Sequence, residues 1–145
     1  MECMMPTPFS EEQKAQVKSI LESAKTIAVI GLSPDESKDS NRVAKYLIAC
    51  GYNVIPVYPK EDTILGCKVF RSLAEIDVKV DIVNIFRNGD ALGAIVEEAA
   101  KLSPALVWGQ IGCHNETAEQ RASELGLNIV TNKCIMVEHK KLFGN

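Results

Sequence analysis

Short apolar runs alternate with amphipathic stretches along most of the chain. TIAVIG, Thr26 to Gly31, is nearly all apolar and rich in β-branched residues. Runs of that kind suit strands buried on both faces, as in parallel sheets. NVIPVYP (Asn53 to Pro59), DIVNIF (Asp81 to Phe86), ALVWGQIG (Ala105 to Gly112) and LNIVT (Leu127 to Thr131) repeat the pattern, and Lys68 to Phe70 offers a shorter strand. Proline is tolerated at a strand end but not in its middle, so Pro56 is expected to mark where pairing of the second strand stops. Helices fill the intervals. Ser10 to Gln13 reads S-E-E-Q, a capping box, and Val17, Ile20, Leu21 and Ala24 follow at helical spacing. Val43, Tyr46, Leu47 and Cys50 mark a second helix that Gly51 stops. A short helix follows Phe70. Another, capped by Asp90, carries Leu92, Ile95, Val96 and Ala99. The next is capped by Asn115, carries Ala118, Ala122 and Leu125, and ends at Gly126. IMVEHKKLF closes the chain as a short helix.

Strands alternating with helices imply right-handed βαβ units. The expected fold is a single α/β domain over residues 1–145, doubly wound and Rossmann-like, with a mainly parallel sheet of about five strands. Residues 1–25 form an N-terminal arm and helix. Ligands in such sheets sit outside the C-terminal strand ends, where the two halves of the sheet diverge. That rule selects the loops after Gly31, after Val57, at Phe86-Arg87 and at Gly109 to Gly112.

Composition narrows the picture. The 145 residues suit one domain with a real core, and the net charge of −3 gives no basic surface for nucleic acid. No apolar run is long enough to span a membrane. The N-terminus, MECMMPTPFSEEQ, lacks the basic start and long apolar stretch of a secretory signal. Cys3, Cys50, Cys67, Cys113 and Cys134 are scattered without a C-x-x-C, so zinc and thioredoxin motifs are absent and reduced thiols in a cytoplasmic protein are expected.

The first selected loop, GLSPDESKDSNR, has one glycine where a dinucleotide fingerprint has three. Gly31 has no side chain to keep a ligand from the backbone, so a valine there is expected to abolish binding with little loss of fold. Ser33 and Ser40 offer hydroxyls, Arg42 a guanidinium, and a helix begins near Asn41 with free N–H groups and a positive dipole end. Pyrophosphate suits that set. Equally, Ser40 or Asn41 could merely cap the helix. The second loop discriminates better. A nicotinamide enzyme places an acid near the end of the second strand. Here Pro56, Val57, Tyr58, Pro59 and Lys60 stand there, with no carboxylate before Glu61. Lys60 suits a ribose that carries an extra phosphate, and Val57 and Tyr58 suit an adenine wall. Phe86 and Arg87 put an aromatic and a cation at mid-sheet, although a core phenylalanine and a surface arginine are the commoner roles. In WGQIG, Trp108 reads as core, while Gln110 and Gly112 lie nearer the mouth.

Taken together, VIGLSPDESKDSNRVAKYL, GYNVIPVYP, DIVNIFR, VWGQIG and NKCIMVEHKKLF resemble the small stand-alone CoA-binding domain proteins. These resemble in turn the CoA-binding domain of the succinyl-CoA synthetase α chain. The resemblance runs from about Ile20 to the end of the chain in one order and spacing. It implies a Rossmann-like domain that binds coenzyme A or an acyl-CoA. It places pyrophosphate near Gly31, Ser33, Ser40 and a helix beginning at Arg42 and Val43, and adenosine near Pro56 to Lys60. Phe86, Arg87, Gln110 and Gly112 line the rest. Tyr58 stands where the family often has asparagine, and Asn132-Lys133 where it often has Asp-Arg. Neither difference removes a charge the coenzyme needs.

No catalytic set is evident. His114 follows Cys113, but adjacent residues rarely present side chains to each other and no orienting acid is apparent. The synthetases' phosphorylated histidine lies on a separate domain, so His114 is not expected to inherit that role. His139 and Glu138 read as a solvated helix face. Cys134 could meet a coenzyme thiol, although a buried inert cysteine is the commoner reading. The expected function is therefore a cytoplasmic CoA-binding module, alone, as a homodimer or with a protein partner. An NAD(P) oxidoreductase and a CoA-binding subunit of an acyl-CoA synthetase-like enzyme are the alternatives. A redox regulator of DNA would need a winged-helix domain, and the N-terminal segment offers one helix.

Overall fold

The buried strands form one sheet, and the order in which they pair fixes where a ligand can enter. The computed structural model describes residues 9–144; Cys3 and most of the expected N-terminal arm lie outside them. The chain runs α1 (Glu11–Ser23), β1 (Thr26–Ile30), α2 (Asp39–Ala49), β2 (Asn53–Val57), a two-residue hairpin β3 (Thr63–Ile64) and β4 (Cys67–Lys68), and a 3-10 turn (Leu73–Glu75). It continues through β5 (Ile82–Ile85), a 3-10 turn (Gly89–Ala91) that leads into α3 (Leu92–Ala100), β6 (Leu106–Gly109), α4 (Glu116–Glu124), β7 (Ile129–Val130) and α5 (Ile135–Phe143). The main sheet is parallel throughout, in the order β2-β1-β5-β6-β7. Counted without the hairpin this is the doubly wound order 2-1-3-4-5.

Strand alternation sorts the core into two layers. Ala28, Ile30, Ile55, Val57, Val83, Ile85 and Val107 pack with residues of α3 and α4, including Val96 and Ala122. Ile27, Val29, Val54, Ile82, Leu106 and Trp108 pack with α1, α2 and α5 through Leu21, Val43, Leu47 and Ile135. Both faces are covered, which is why these strands read as continuous apolar runs. The capping box forms as expected, with Ser10 and Gln13 exchanging bonds at the start of α1. Among the described residues no helix is long and apolar enough to cross a membrane. The described cysteines Cys50, Cys67, Cys113 and Cys134 are all free.

Some local expectations change. Pro56 lies within β2, in register with Val29. It is tolerated because β2 is the edge strand and Pro56 turns its polar side outward, its carbonyl accepting from the Phe70 N–H. The segment at Lys68 to Phe70 splits: Lys68 pairs antiparallel with Thr63, whereas Phe70 bridges in parallel to Val57. Asn88, not Asp90, is the cap before α3, its side chain accepting from the Asp90 N–H. Asp81 ties the strand starts together, its Oδ2 accepting from the N–H groups of Lys25 and Thr26 at 2.9 and 3.0 Å.

The largest departure is His139. Its ring is buried, 6% exposed, rather than on a solvated face. Nδ1 is hydrogen-bonded to the Tyr46 hydroxyl at 2.7 Å, and Tyr46, Tyr52 and Phe143 surround the ring. In V-E-H-K-K the two lysines are exposed, Glu138 is largely covered with its side chain only 16% exposed, and position 139 points at α2, which helical spacing alone does not reveal. Tyr52 donates to the Leu21 carbonyl at 2.6 Å, and burial pushes its hydroxyl up to about 12, so it remains a donor.

Gly31 shapes the sheet itself. A Cβ there would lie 2.5 Å from the Phe86 carbonyl oxygen, and its φ is +82°. The missing side chain therefore makes room for the neighbouring strand exit, and a valine would damage the fold as well as any ligand path. Gly31→Ala should lower stability by more than the roughly 1–2 kcal/mol of left-handed backbone strain alone, read as a drop in the urea midpoint with an unchanged slope. An unaltered midpoint would show that the two loops separate freely.

His139 generates a second expectation. Burial holds its pKa below the ordinary 6.5. The unfolded chain then binds the proton more readily, so this contribution to stability is present above the unfolded pKa and is lost as pH falls through 6.5 toward the lower folded value. Chemical denaturation between pH 7.5 and 5.5 should show stability falling with pH, and His139→Gln should flatten that slope. An equal slope in both proteins would assign the pH dependence elsewhere.

Candidate functional site

β1 and β5 are adjacent, yet the chain leaves them toward opposite faces: α2 packs on one core layer and α3 on the other. A crevice at their C-terminal ends follows from that topology. Beside it, between the exits of β1 and β2, lies a cleft of about 420 Å³ lined by Ile30, Gly31, Val57, Tyr58, Pro59, Arg71 and Arg87. Five of the residues selected from sequence meet here: Gly31, Val57, Tyr58, Pro59 and Arg87. The lining has two arginines and no carboxylate.

The first loop is held by its own hydrogen bonds. Ser33 is the hub: its N–H donates to Ser40 Oγ at 3.0 Å, its carbonyl accepts from Asn41 Nδ2 at 2.9 Å, and its Oγ accepts from the Asp35 N–H at 3.1 Å. Ser37 donates to Asp35 through N–H and hydroxyl, which holds the Asp35 carboxyl below its usual range. Ser40 and Asn41 thus bind the loop rather than cap the helix. Each of Ser33 and Ser40 keeps a hydroxyl proton to donate.

Helix α2 begins at Asp39, with Lys38 as its cap residue and no side-chain cap. That is three residues before Arg42. The Arg42 N–H already donates to the Lys38 carbonyl and the Lys38 N–H to Asp35. The helix-end donors left for an anion are therefore those of Asp39, Ser40 and Asn41. The Arg42 side chain is exposed and ion-paired with Asp39, and the Val43 side chain is buried in the core. The start lies earlier than the sequence suggested because the Asp35 turn positions Lys38 for the first helical bond.

The remaining selected residues occupy varied settings. Pro56 is buried in β2, and Phe86 is partly buried against the core layer of α1, α2 and α5. Lys60 is exposed and absent from the cleft lining. Gln110 is buried, and its Oε1 accepts from the Ile135 N–H at 3.0 Å, so it caps α5. Gly112 donates its N–H to Asn132 Oδ1 at 3.0 Å. Trp108 is fully buried and donates to the Lys133 carbonyl.

Two residues the sequence reading passed over stand out. Arg71 NH1 reaches the carbonyls of Tyr58, Lys60 and Glu61 at 3.2, 3.1 and 2.8 Å, so one guanidinium organises the whole loop after β2. Nothing local in F-R-S marks it, because its partners lie ten to thirteen residues upstream. Asn84 is fully buried in β5, on the face of Val29 and Trp108. Among the described residues neither of its amide atoms has a hydrogen-bond partner, nor has Asn41 Oδ1. Each such atom costs about 1–3 kcal/mol. A polar residue inside the run DIVNIF was the available signal.

Cys113 and His114 do not form a nucleophilic pair. The thiol is buried and pushed up to about 11, first by desolvation and then by Glu119. His114 does have an acid that the sequence did not reveal: its Nδ1 lies 2.7 Å from Glu119 Oε2, on an exposed side chain.

A strand exit with a single glycine, a helix start without a side-chain cap and a cationic cleft lined without an acid suit an anionic ligand. Comparisons with known proteins give the family and several relatives of the whole chain. Residues 25–140 match the CoA binding domain family. A Bacillus subtilis relative, the uncharacterized protein YneT, is 41% identical over 126 residues, covering 87% of this chain and 93% of that protein. A hypothetical protein from Pyrococcus horikoshii OT3 superposes with a TM-score of 0.88 at 37% identity, over 99% of this chain and 100% of that one. The ADP-forming acetate–CoA ligase of Methanocaldococcus jannaschii is 29% identical over 77 residues, which are 53% of this chain and 11% of the ligase. The chain belongs to the CoA binding domain family.

Proposed function

We propose that this chain is a coenzyme A-binding module whose ligand lies across the C-terminal ends of β1, β2 and β5. The observation that carries the reading is the cleft lined by Arg71 and Arg87 with no carboxylate. Coenzyme A is highly anionic, with a pyrophosphate and a ribose 3′-phosphate. NAD lacks the ribose phosphate and is usually met by an acid at the end of the second strand. Here β2 ends in Val57 and continues into Tyr58, Pro59 and Lys60.

In this reading the pyrophosphate meets the hydroxyls of Ser33 and Ser40, the backbone at Gly31 and the N–H groups of residues 39–41, where the helix dipole adds to the attraction. The adenine lies against Val57, Tyr58 and Pro59, with Lys60 nearby. Arg87 and Phe86 flank the crevice, and Gln110 and Gly112 border the path of the pantetheine arm. Pre-formed hydrogen bonds around Ser33 support the assignment, because a loop already ordered loses less entropy on binding.

Melting the purified protein with coenzyme A, NAD and NADP tests this. A ligand that binds only the folded state at about 100 times its Kd adds roughly 2.7 kcal/mol, which for a domain of this size raises Tm by several degrees, on the order of 5–10 °C. Coenzyme A should give such a shift and NAD none. A shift with NAD or NADP alone would replace the reading with a nicotinamide site.

A further inference from the structure

We infer that Arg71 is the residue that selects a ligand carrying a phosphomonoester on its adenosine, the role that the sequence suggests for Lys60. The inference rests on the coenzyme A reading and names the recognition element within the same cleft.

Arg71 combines two properties that no other residue of the lining shares. Its NH1 is fixed by three carbonyls of the segment 58–61, which fastens the guanidinium in place and shapes the loop carrying Tyr58 and Pro59. Its Nε and NH2 make no hydrogen bond among the described residues; the nearest charge, Asp62 Oδ1, lies 3.9 Å from NH2 on a fully exposed side chain. Two donors of a planar fork are therefore available on a residue that lines the cleft. A phosphomonoester dianion matches that geometry bidentately, as a lysine ammonium does not. Lys60 contributes its carbonyl to hold Arg71, while its side chain is exposed and outside the lining. Arg87 enters the same cleft from the end of β5, on the side of the crevice, and suits the rest of the ligand.

The two roles of Arg71 separate by experiment. Coenzyme A and dephospho-coenzyme A are titrated calorimetrically into the wild-type protein, Arg71→Gln, Arg71→Lys and Lys60→Ala, with thermal melts confirming that each variant is folded. Glutamine keeps an N–H for the loop carbonyls and removes the charge; lysine keeps the charge and removes the fork. Arg71→Gln should weaken coenzyme A by roughly 10- to 100-fold, the range of a charge-assisted bond, and dephospho-coenzyme A by much less. Arg71→Lys should show a smaller preference for coenzyme A than the wild type, and Lys60→Ala should leave the preference intact. Equal losses for both ligands would make Arg71 a loop brace alone. A selective loss confined to Lys60→Ala would return the phosphate to Lys60. Either result overturns this inference and leaves the coenzyme reading standing, whereas failure of the wild type to bind either compound overturns both.

Discussion

The carbonyl oxygen of Phe86 lies where a side chain on residue 31 would begin. That close approach lets the exits of β1 and β5 meet without an intervening residue, at the point where the chain departs to opposite faces of the sheet. The φ of +82° at Gly31 then turns the backbone out of the strand and into the serine-rich loop. Bulk at this position would drive the exits apart, move the start of α2 and reshape the cleft. The fold and the site therefore depend on the same missing atom, and the glycine is first a packing residue between strands.

Around that contact the loops are braced internally. Ser33 gathers three hydrogen bonds in the first loop, and Arg71 gathers three carbonyls in the second. Both braces satisfy backbone groups that would otherwise need water. Both also leave donors over: the hydroxyl protons of Ser33 and Ser40, the N–H groups at the start of α2, and two edges of the Arg71 guanidinium. N–H and O–H donors left unused beside a cationic cleft suit an anionic ligand.

Away from the ligand end, α5 is fastened to α2 by the ring cluster of Tyr46, Tyr52, His139 and Phe143, Tyr52 in turn donates to the Leu21 carbonyl of α1, and the first turn of α5 is capped by Gln110. Gln110 belongs to the loop after β6, at the ligand end. The cap thus connects the C-terminal helix to that end of the sheet, and the histidine cluster sets how firmly the same helix is held along its length.

Hydrophobic patterning by itself determined the α/β class, the parallel sheet and the positions of its main strands, because strands buried on both faces must be apolar throughout. Local chemistry determined the capping box at Ser10 and Gln13, the Asn115 cap and the importance of Gly31. The missing acid after β2 was equally legible, since it needs only the strand end to be known. Only tertiary structure decided that Pro56 could sit inside β2, because edge position is a property of the assembled sheet. It also turned His139 inward, since Tyr46 of α2 supplies the hydroxyl and Tyr52 and Phe143 the further rings that enclose the buried imidazole. Arg71 came to light for the same reason: its value lies in three carbonyls that the chain brings back to it after a hairpin. Sequence shows which residues carry charge or bulk; which of them face one another is fixed by contacts between segments that are distant along the chain.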